Sequence, residues 1–508
     1  MKKLLLITFL VSMLALSACT NSAPATPSTE ESVAPTKELT QEPTARESIS
    51  LPKIIITGKQ AYEYNEDGTI LLAESQTDVV KLEGEGYEAA AKTVDALFGE
   101  QSQDLSYLAE MAKEDYEFNM SNGYEYFAPY SNYATCEIAR LDQNVLSLKC
   151  MTSDYFGGAH GMWSYWGATI DLKTGEELEL IDLAVDSYAL IEACTDYAMQ
   201  KLAERSDDLF ADYEDYAEEN LPTCSWYLDA SGIVFVYSPY EIGPYAAGSI
   251  EVCVPYTEVS EYMKPEYCGI QGDCIAMVQE SEPVSFVTEQ NRTRELIFEW
   301  ERRSDYDYRT TLRVDNQTQS LGDYVGLVKA YLMHDADGKT FLLYTVDWAS
   351  EDYTTYVYDL TGENMIETGN IGARLNSRSM GDHILSLEFR LDVLGTYLAD
   401  MEYTLTEDGM LKPMEDIYYF KSNDLRVGLT TVKDLPVIIE NEAAMLPAGT
   451  RLYVISTDND GIIWFETAGE AGAAKKGMIR YIRDAESYRI YIEGIVEDEY
   501  FEMLPYVG

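Results

Sequence analysis

The sequence predicts a multidomain protein with an α+β N-terminal module, an all-β middle domain and a small β-barrel at the C-terminus. Its 508 residues suffice for several domains of about 100–200 residues each. Helical spacing is concentrated before residue 206, whereas short strands with Gly- and Asp-rich turns dominate after about residue 280. The predicted segments are a signal peptide at 1–18, a tether at 19–52, the module at 53–278, the all-β domain at 279–425 and the barrel at 426–508.

An export signal opens the chain. Lys2 and Lys3 precede an apolar run at 4–16 that is too short for a membrane span. The run ends in Leu-Ser-Ala-Cys at 16–19, which resembles the lipobox of bacterial lipoproteins, where the cysteine is lipidated and becomes the first mature residue. We therefore expect Cys19 to carry a lipid anchor to the membrane and the body to lie on the extracytoplasmic face.

The tether and the charge set broad limits on function. The tether is mostly Thr, Ser, Pro, Ala and Glu, so it is predicted to be a disordered spacer. With 36 basic and 89 acidic residues, the formal net charge of −53 disfavours nucleic-acid binding, because phosphates would be repelled. The same charge favours cationic partners or metal ions, and a purely solubilising acidic surface is the alternative.

Helices and strands alternate in the module. Residues 87–98 have helical spacing and end at Gly99, which suits a C-terminal cap. A longer helix is predicted from about 183 to 205 because five apolar residues recur mainly at intervals of three or four: Leu183, Ile191, Cys194, Ala198 and Leu202. Strands are predicted around a turn within 131–154 and at 166–180, 226–228, 233–237 and 250–256.

After residue 280 the pattern predicts short strands. The middle domain has them at 295–299, 310–314, 339–347, 354–358, 384–391 and 397–404, which fits either a sandwich or propeller-like blades. In the last segment, strands at 451–457 and 462–467 flank an Asp-Asn-Asp-Gly turn, and Lys-Gly-Met-Ile-Arg follows at 476–480. That order resembles a bacterial SH3-like barrel.

Seven cysteines remain in the exported body after Cys19, so at least one stays unpaired within the chain. Cys136 and Cys150 flank a turn-like stretch at 140–144 and would face each other across a hairpin. Cys268 and Cys274 are close enough in sequence to close a small loop. Disulfides are therefore predicted for these two pairs, with buried free thiols as the alternative.

Most enzyme classes lose support from the sequence. The three histidines, His160, His334 and His383, are too far apart for a His-Glu-x-x-His zinc motif. No Cys-x-x-Cys, Gly-x-Ser-x-Gly or phosphate-binding loop motif occurs. We expect no metal and no cofactor. Paired carboxylates for glycan hydrolysis stay open, because so many acidic residues make accidental pairs common.

Two aromatic, glycine-containing loops stand out as candidate binding sites. Residues 156–166 hold three glycines, one histidine and four aromatic residues, and residues 237–248 are rich in Tyr, Pro and Gly. Glycine permits close backbone approach, and aromatic rings supply rigid contact area. The candidate contact residues are His160, Trp163, Tyr165, Trp166, Tyr240 and Tyr245. Packing of these aromatic residues in the core is the alternative.

Several short segments in order carry a family resemblance: Gly-Gly-Ala-His-Gly at 157–161, Thr-Ile-Asp-Leu-Lys-Thr-Gly-Glu at 169–176, Gly-Ile-Val-Phe at 232–235, Ser-Pro-Tyr-Glu-Ile at 238–242 and Val-Pro-Tyr at 254–256. Together they resemble an extracellular module of RsiV-type lysozyme-sensing anti-sigma factors and of the non-catalytic region of some peptidoglycan deacetylases. The resemblance covers about residues 63–262. It implies an envelope-facing binding module, and it does not extend to a transmembrane signalling segment or a histidine-rich catalytic domain.

The sequence therefore predicts a lipid-anchored envelope protein that binds without catalysis. Its expected partners are peptidoglycan, a cationic protein such as lysozyme, or another surface partner. A carboxylate-based cell-wall glycan hydrolase and a structural subunit of a surface complex are the alternatives.

Overall fold

A computed structural model describes residues 50–506 except for 101–103, 125–126, 305–306, 350–351, 422–427 and 469–473. The predicted signal peptide, Cys19 and nearly all of the tether lie outside the described residues. The described part is mostly β, with several sheets and an α/β region at its N-terminal end. Within it, no helix combines the length and apolar character needed to cross a membrane.

The N-terminal region contains both helices and strands. In chain order they are β1 (Lys53–Tyr64), β2 (Leu71–Glu83), α1 (Glu88–Phe98), α2 (Ser106–Ser121), β3 (Tyr130–Asp142), β4 (Val145–Tyr155), β5 (Met162–Asp171), α3 (Ser187–Ala203), α4 (Tyr213–Asn220), β6 (Ser225–Leu228), β7 (Gly232–Tyr237), β8 (Ile250–Pro255), α5 (Tyr256–Val259) and β9 (Cys274–Met277). Strands β1 and β2 form an antiparallel pair, β2 runs parallel to β3, and β3, β4 and β5 form a meander. Strands β6, β7 and β8 form a separate sheet.

Helix α3 begins later than the sequence predicts. The Asp186 side chain accepts a hydrogen bond from the Ala189 N–H at 3.2 Å and so caps the helix. Its buried stripe, at intervals of four, packs in one core with the inward side chains of β6–β8 and consists of Leu190, Cys194, Ala198 and Leu202. The helix therefore supports the sheet whose β7–β8 loop is described below.

The middle region consists of strands. They are β10 (Val284–Val287), β11 (Thr293–Ser304), β12 (Asp307–Val314), β13 (Gln317–Tyr324), β14 (Gly326–His334), β15 (Thr340–Asp347), β16 (Tyr353–Asp359), β17 (Ile366–Ile371), β18 (Arg374–Gly381), β19 (Ile384–Asp392) and β20 (Thr396–Leu405). Strands β10–β13 form their own four-stranded sheet. Phe286 and Phe298 from that sheet share one buried core with Leu342 and Tyr344 of β15, so two sheets meet face to face here.

The C-terminal strands extend the large sheet. They are β21 (Leu411–Pro413), β22 (Tyr418–Phe420), β23 (Leu429–Thr430), β24 (Leu435–Ile439), β25 (Glu442–Leu446), β26 (Arg451–Thr457), β27 (Ile462–Thr467), β28 (Lys476–Arg480), β29 (Ile482–Arg483), β30 (Ile490–Ile492) and β31 (Ile495–Val496). Strand β22 pairs with both β20 and β26, and β1 pairs with β18, so the ladders connect the three predicted segments. No closed barrel is identified among the described strands, and the SH3-like end stays a prediction.

Candidate binding site

The candidate site begins at the turn between β4 and β5. The two strands are antiparallel over ten residue pairs, and residues 156–161 connect them. Gly157 and Gly158 have φ angles of 83° and 91°, which side chains disfavour. A Cβ atom on Gly157 would also lie 3.1 Å from the Tyr130 hydroxyl. The glycines therefore permit the tight turn that leads into β5.

The β5 strand is fixed to the β7–β8 loop by two hydroxyl groups. Side chains alternate along a strand, so Trp163 and Tyr165 share one face of β5 and Trp166 lies on the other. The Tyr165 backbone N–H donates to Ser238 Oγ at 3.1 Å. The Trp163 indole Nε1–H donates to Ser249 Oγ at 3.2 Å. These bonds hold both ends of the 238–249 loop against β5.

Four of the six predicted contact residues come together at this junction. His160, Trp163, Tyr240 and Tyr245 form what we name the aromatic cluster. The Tyr245 ring stacks on the His160 ring, with centroids 4.0 Å apart. Its centroid lies 4.6 Å from that of Trp163 and 5.9 Å from that of Tyr240. These separations are those of aromatic contact, so the two loops present one joint surface.

Tyr240 has an unusual backbone for its residue type. Its φ is 73°, in the left-handed region, where a non-glycine residue costs about 1–2 kcal/mol. The turn is held by the Tyr240 N–H, which donates to the Gly243 carbonyl at 3.0 Å, and by Glu241 Oε2, which accepts from the Ser238 N–H at 2.7 Å. The side chain is 50 % exposed. A strained turn that presents a tyrosine to solvent motivates a binding role for it.

Trp166 and Tyr165 lie outside the aromatic cluster. The Trp166 ring stacks on Phe98 of α1 with centroids 5.5 Å apart and packs against the main core. Tyr165 is half-buried, and the Lys149 ammonium lies 5.2 Å from the centre of its ring. Alternation turns Trp166 to the helix side, and Tyr165 packs against the β6–β8 sheet; contact of either residue with a ligand stays a prediction.

An acidic surface adjoins the aromatic cluster. Between residues 192 and 219 the exposed carboxylates are Glu192, Asp196, Glu204, Asp207, Asp208, Asp212, Glu214, Asp215, Glu218 and Glu219. None of them forms an ion pair with another residue that the structure describes. This acidic face is joined to the 238–249 loop by the Phe210 N–H, which donates to the Ile242 carbonyl at 2.9 Å. The Glu241 charge also contributes, after burial, to raising the pKa of Tyr216 on α4.

The aromatic cluster offers contact area rather than an evident catalytic group. His160 is exposed, and its Nδ1 lies 2.9 Å from the Gly161 carbonyl oxygen. In the described part of the chain it has no hydrogen bond to a carboxylate, hydroxyl or thiol, the partners that a catalytic histidine uses. Among the same residues, no group of three or more His, Cys, Asp or Glu side chains is arranged to hold a metal ion.

The predicted cysteine pairs differ in geometry. Cys136 and Cys150 are direct cross-strand partners on β3 and β4, and both are buried. Their sulfur atoms are 2.8 Å apart, longer than the about 2.05 Å of a disulfide. Cys268 and Cys274 are also unbonded. Neither predicted pair is at disulfide distance, so the described cysteines are free thiols, and those of the first pair have their sulfur atoms in contact.

Two family models match separate parts of the N-terminal region. Residues 73–163 match the model described as deacetylase PdaC, and residues 182–257 match DUF3298, a protein family of unknown function. His160 and Trp163 lie in the first match, and Tyr240 and Tyr245 lie in the second. The aromatic cluster therefore forms where the PdaC and DUF3298 segments of this chain meet.

Comparison with solved structures gives distant similarities. A DUF3298-family protein from Bacteroides fragilis shares 18% identity over 43% of this chain and 96% of its own, with a TM-score of 0.31. A DUF3298-family protein from Pseudomonas aeruginosa shares 17% identity over 44% of this chain and 98% of its own, with a TM-score of 0.29. The isopeptidase AtxE2 shares 12% identity over 80% of this chain and 58% of its own, with a TM-score of 0.22. No curated protein matches the chain.

Sequence reasoning missed the parts of the site that depend on pairing. Ser238 and Ser249 give no signal by themselves, because their role arises only from the approach of β5. Phe156 and Met162, 48 % and 43 % accessible, are further exposed apolar side chains at the turn into β5. The aromatic and glycine content of residues 156–166 was the available signal for them.

Proposed function

We propose that this chain is a lipid-anchored cell-envelope protein that captures a cationic protein, of which lysozyme is the model, without catalysis. The observation that carries the proposal is the aromatic cluster, which joins the PdaC and DUF3298 segments beside the acidic face. Aromatic side chains at the centre of an interface supply most of its binding energy. The carboxylates of the adjoining acidic face would attract a basic partner and accelerate its association.

Salt dependence tests the electrostatic part of this proposal. Purified chain is immobilised and presented with lysozyme, and with an acidic protein of similar size as a control, at low and high ionic strength. We expect lysozyme to be retained at low salt and released as salt rises, because screening weakens contacts between exposed charges. Retention of purified cell wall instead would favour peptidoglycan, and an abundant co-purifying protein would favour a structural subunit.

The lipid anchor has its own test. Export and acylation at Cys19 require that cells expressing the chain incorporate labelled palmitate into it and that it fractionate with the membrane. Replacement Cys19→Ala removes the only acylation site that the lipobox pattern provides, so label should be lost. Recovery of unlabelled chain from the cytosol would contradict the proposed location.

Glycan hydrolysis is a second candidate because of one carboxylate pair. Glu388 on β19 and Asp400 on β20 are direct cross-strand partners. Burial, with a smaller contribution from the Glu388 charge, raises the pKa of Asp400. Lys421 pairs with both carboxylates and Arg374 pairs with Glu388, which is 3 % exposed. Because Glu388 is buried and Lys421 pairs with both carboxylates, neither group is free to attack or protonate a glycosidic bond, and binding is the better supported function. Release of reducing ends from cell wall, lost in Asp400→Asn, would reverse that order.

A further inference from the structure

A second surface, separate from the aromatic cluster, lies on the C-terminal part of the large sheet. Direct cross-strand partners share a face, and successive pairings there connect six strands. The residues joined in this way form what we name the sheet-face row: Asp400, Tyr419, Ser456, Trp464, Met478 and Ile438. The opposite face is buried through Phe420, Phe465 and Ile479. The row therefore lies on the outer face of the sheet.

The sheet-face row lines an open groove. Five of its members border a groove of about 430 Å³, and an adjoining groove of about 320 Å³ contains Asp400 and shares Ile417 and Tyr419 with the first. Tyr419 is 52 % exposed, and Trp464 is half-buried. The solvent-facing side of an antiparallel sheet normally carries polar side chains. A row of aromatic and aliphatic side chains on that side therefore marks an interaction surface.

The two aromatic residues of the row have backbone positions two strands apart. Tyr419 on β22 and Trp464 on β27 are separated by β26, which is two interstrand spacings or about 10 Å. That separation is close to one disaccharide repeat of a β-1,4-linked glycan. Ser456 lies between them in register and is buried, so a small side chain separates the two aromatic residues. Sugar rings present C–H faces to aromatic rings.

The free charge of the two grooves is negative. Glu415 and Glu440 are exposed at their borders, without an ion pair among the described residues. Of the basic groups at the same borders, Arg378 pairs with a buried aspartate at 2.6 Å, and exposed Lys476 lies 3.7 Å from Glu466, so the acidic groups remain in excess. The grooves are therefore complementary to a ligand that carries ammonium groups.

The position on a sheet face favours a glycan over an extended peptide. A peptide that binds by strand addition needs a free sheet edge with unpaired N–H and C=O groups. Strands β22, β26 and β27 are each paired on both sides, so their backbone groups are used in the ladder. A glycan needs only side-chain partners, and the row supplies them.

We propose that the sheet-face row binds a β-1,4-linked amino-sugar polymer with free amines. Two sugar rings stack on Tyr419 and Trp464, and ammonium groups meet Glu415 and Glu440. This inference concerns a separate surface and does not rest on capture of a cationic protein at the aromatic cluster.

The test is titration of the full chain with three probes: a glucosamine hexamer, an N-acetylglucosamine hexamer and hexalysine. We expect the glucosamine hexamer to bind and its affinity to fall about tenfold in Trp464→Ala and in Tyr419→Ala. Tyr107→Ala, which truncates a tyrosine that is 71 % exposed on α2, is the matched control and should bind normally. Thermal melting establishes that each variant is folded, and half-exposed Tyr419 supplies the second variant if Trp464→Ala is unstable.

Charge variants test the amine contribution. Glu440→Gln should weaken binding of the glucosamine hexamer, whereas Glu442→Gln, an exposed residue on the same hairpin and outside the groove, should not. The inference is overturned if the folded chain binds neither sugar oligomer or if row variants leave affinity unchanged. Binding of hexalysine alone would assign the groove to peptides, and equal affinity for the acetylated oligomer would remove the role of the carboxylates.

Discussion

Replacing Tyr240 with glycine separates a binding role from a structural role. Glycine relieves the left-handed φ of 73°, a gain of about 1–2 kcal/mol. Against this, glycine loses about 0.5–1 kcal/mol through the greater freedom of the unfolded chain. Loss of the half-exposed ring contact with Tyr245, at 5.9 Å between centroids, destabilises the variant by about 0.5–1 kcal/mol more. We therefore expect the free energy of unfolding of Tyr240→Gly to stay within about 1 kcal/mol of the parent.

Binding should respond very differently. Loss of an aromatic anchor costs at least about 2 kcal/mol, which raises the Kd for lysozyme about 30-fold. Tyr488→Gly is the matched control, because Tyr488 also has a left-handed φ, of 58°, and is 76 % exposed in a C-terminal turn. Calorimetric titration and thermal melting of both variants make the comparison. An unchanged Kd in Tyr240→Gly, or an equal loss in Tyr488→Gly, would refute the assignment of Tyr240.

Three further predictions follow from the packing. Trp163→Ala should weaken lysozyme binding and lower the free energy of unfolding by only about 1 kcal/mol, through the lost Ser249 hydrogen bond. Trp166→Ala should lower it by about 3 kcal/mol through lost packing on Phe98 and the core, as chemical denaturation would measure. Burial raises the pKa of Asp229 to about 7 from its usual 3.8, so the protonated form stabilises the fold fully below about pH 4 and this contribution is lost as the pH rises through 7. Asp229→Asn should therefore flatten the profile of unfolding free energy against pH between about pH 4 and 7. Oxidation of Cys136 and Cys150 to a disulfide should stabilise the chain by about 3 kcal/mol, and a melting temperature unchanged by reductant would count against it.

Local sequence signals located the aromatic cluster because glycine, proline and aromatic residues act within one loop. Gly157 and Gly158 predict the turn directly, and Tyr240 and Tyr245 lie in a loop that Pro and Gly define. The same signals do not tell which face of β5 a side chain occupies. Trp163 and Tyr165 lie on one face of the strand, whereas Trp166 lies on the other and packs on α1. Composition identifies a loop, whereas strand alternation decides which side chain it presents.

The remaining features depend on contacts between distant residues. Helix α2 escaped prediction because it buries only Ala109 and Ala112, too little apolar surface to create a helical pattern of large side chains. The sheet-face row was invisible because its residues come from six strands and become neighbours only through pairing. Register across a sheet is set by the whole fold, so no local segment contains that information.

Hydrogen–deuterium exchange of the chain with and without lysozyme tests the central claim most directly. The account predicts slower exchange at 156–163 and 238–249 when lysozyme is present at low ionic strength, because those two loops carry the aromatic cluster. Exchange that does not change there, or protection confined to other parts of the chain, would contradict it.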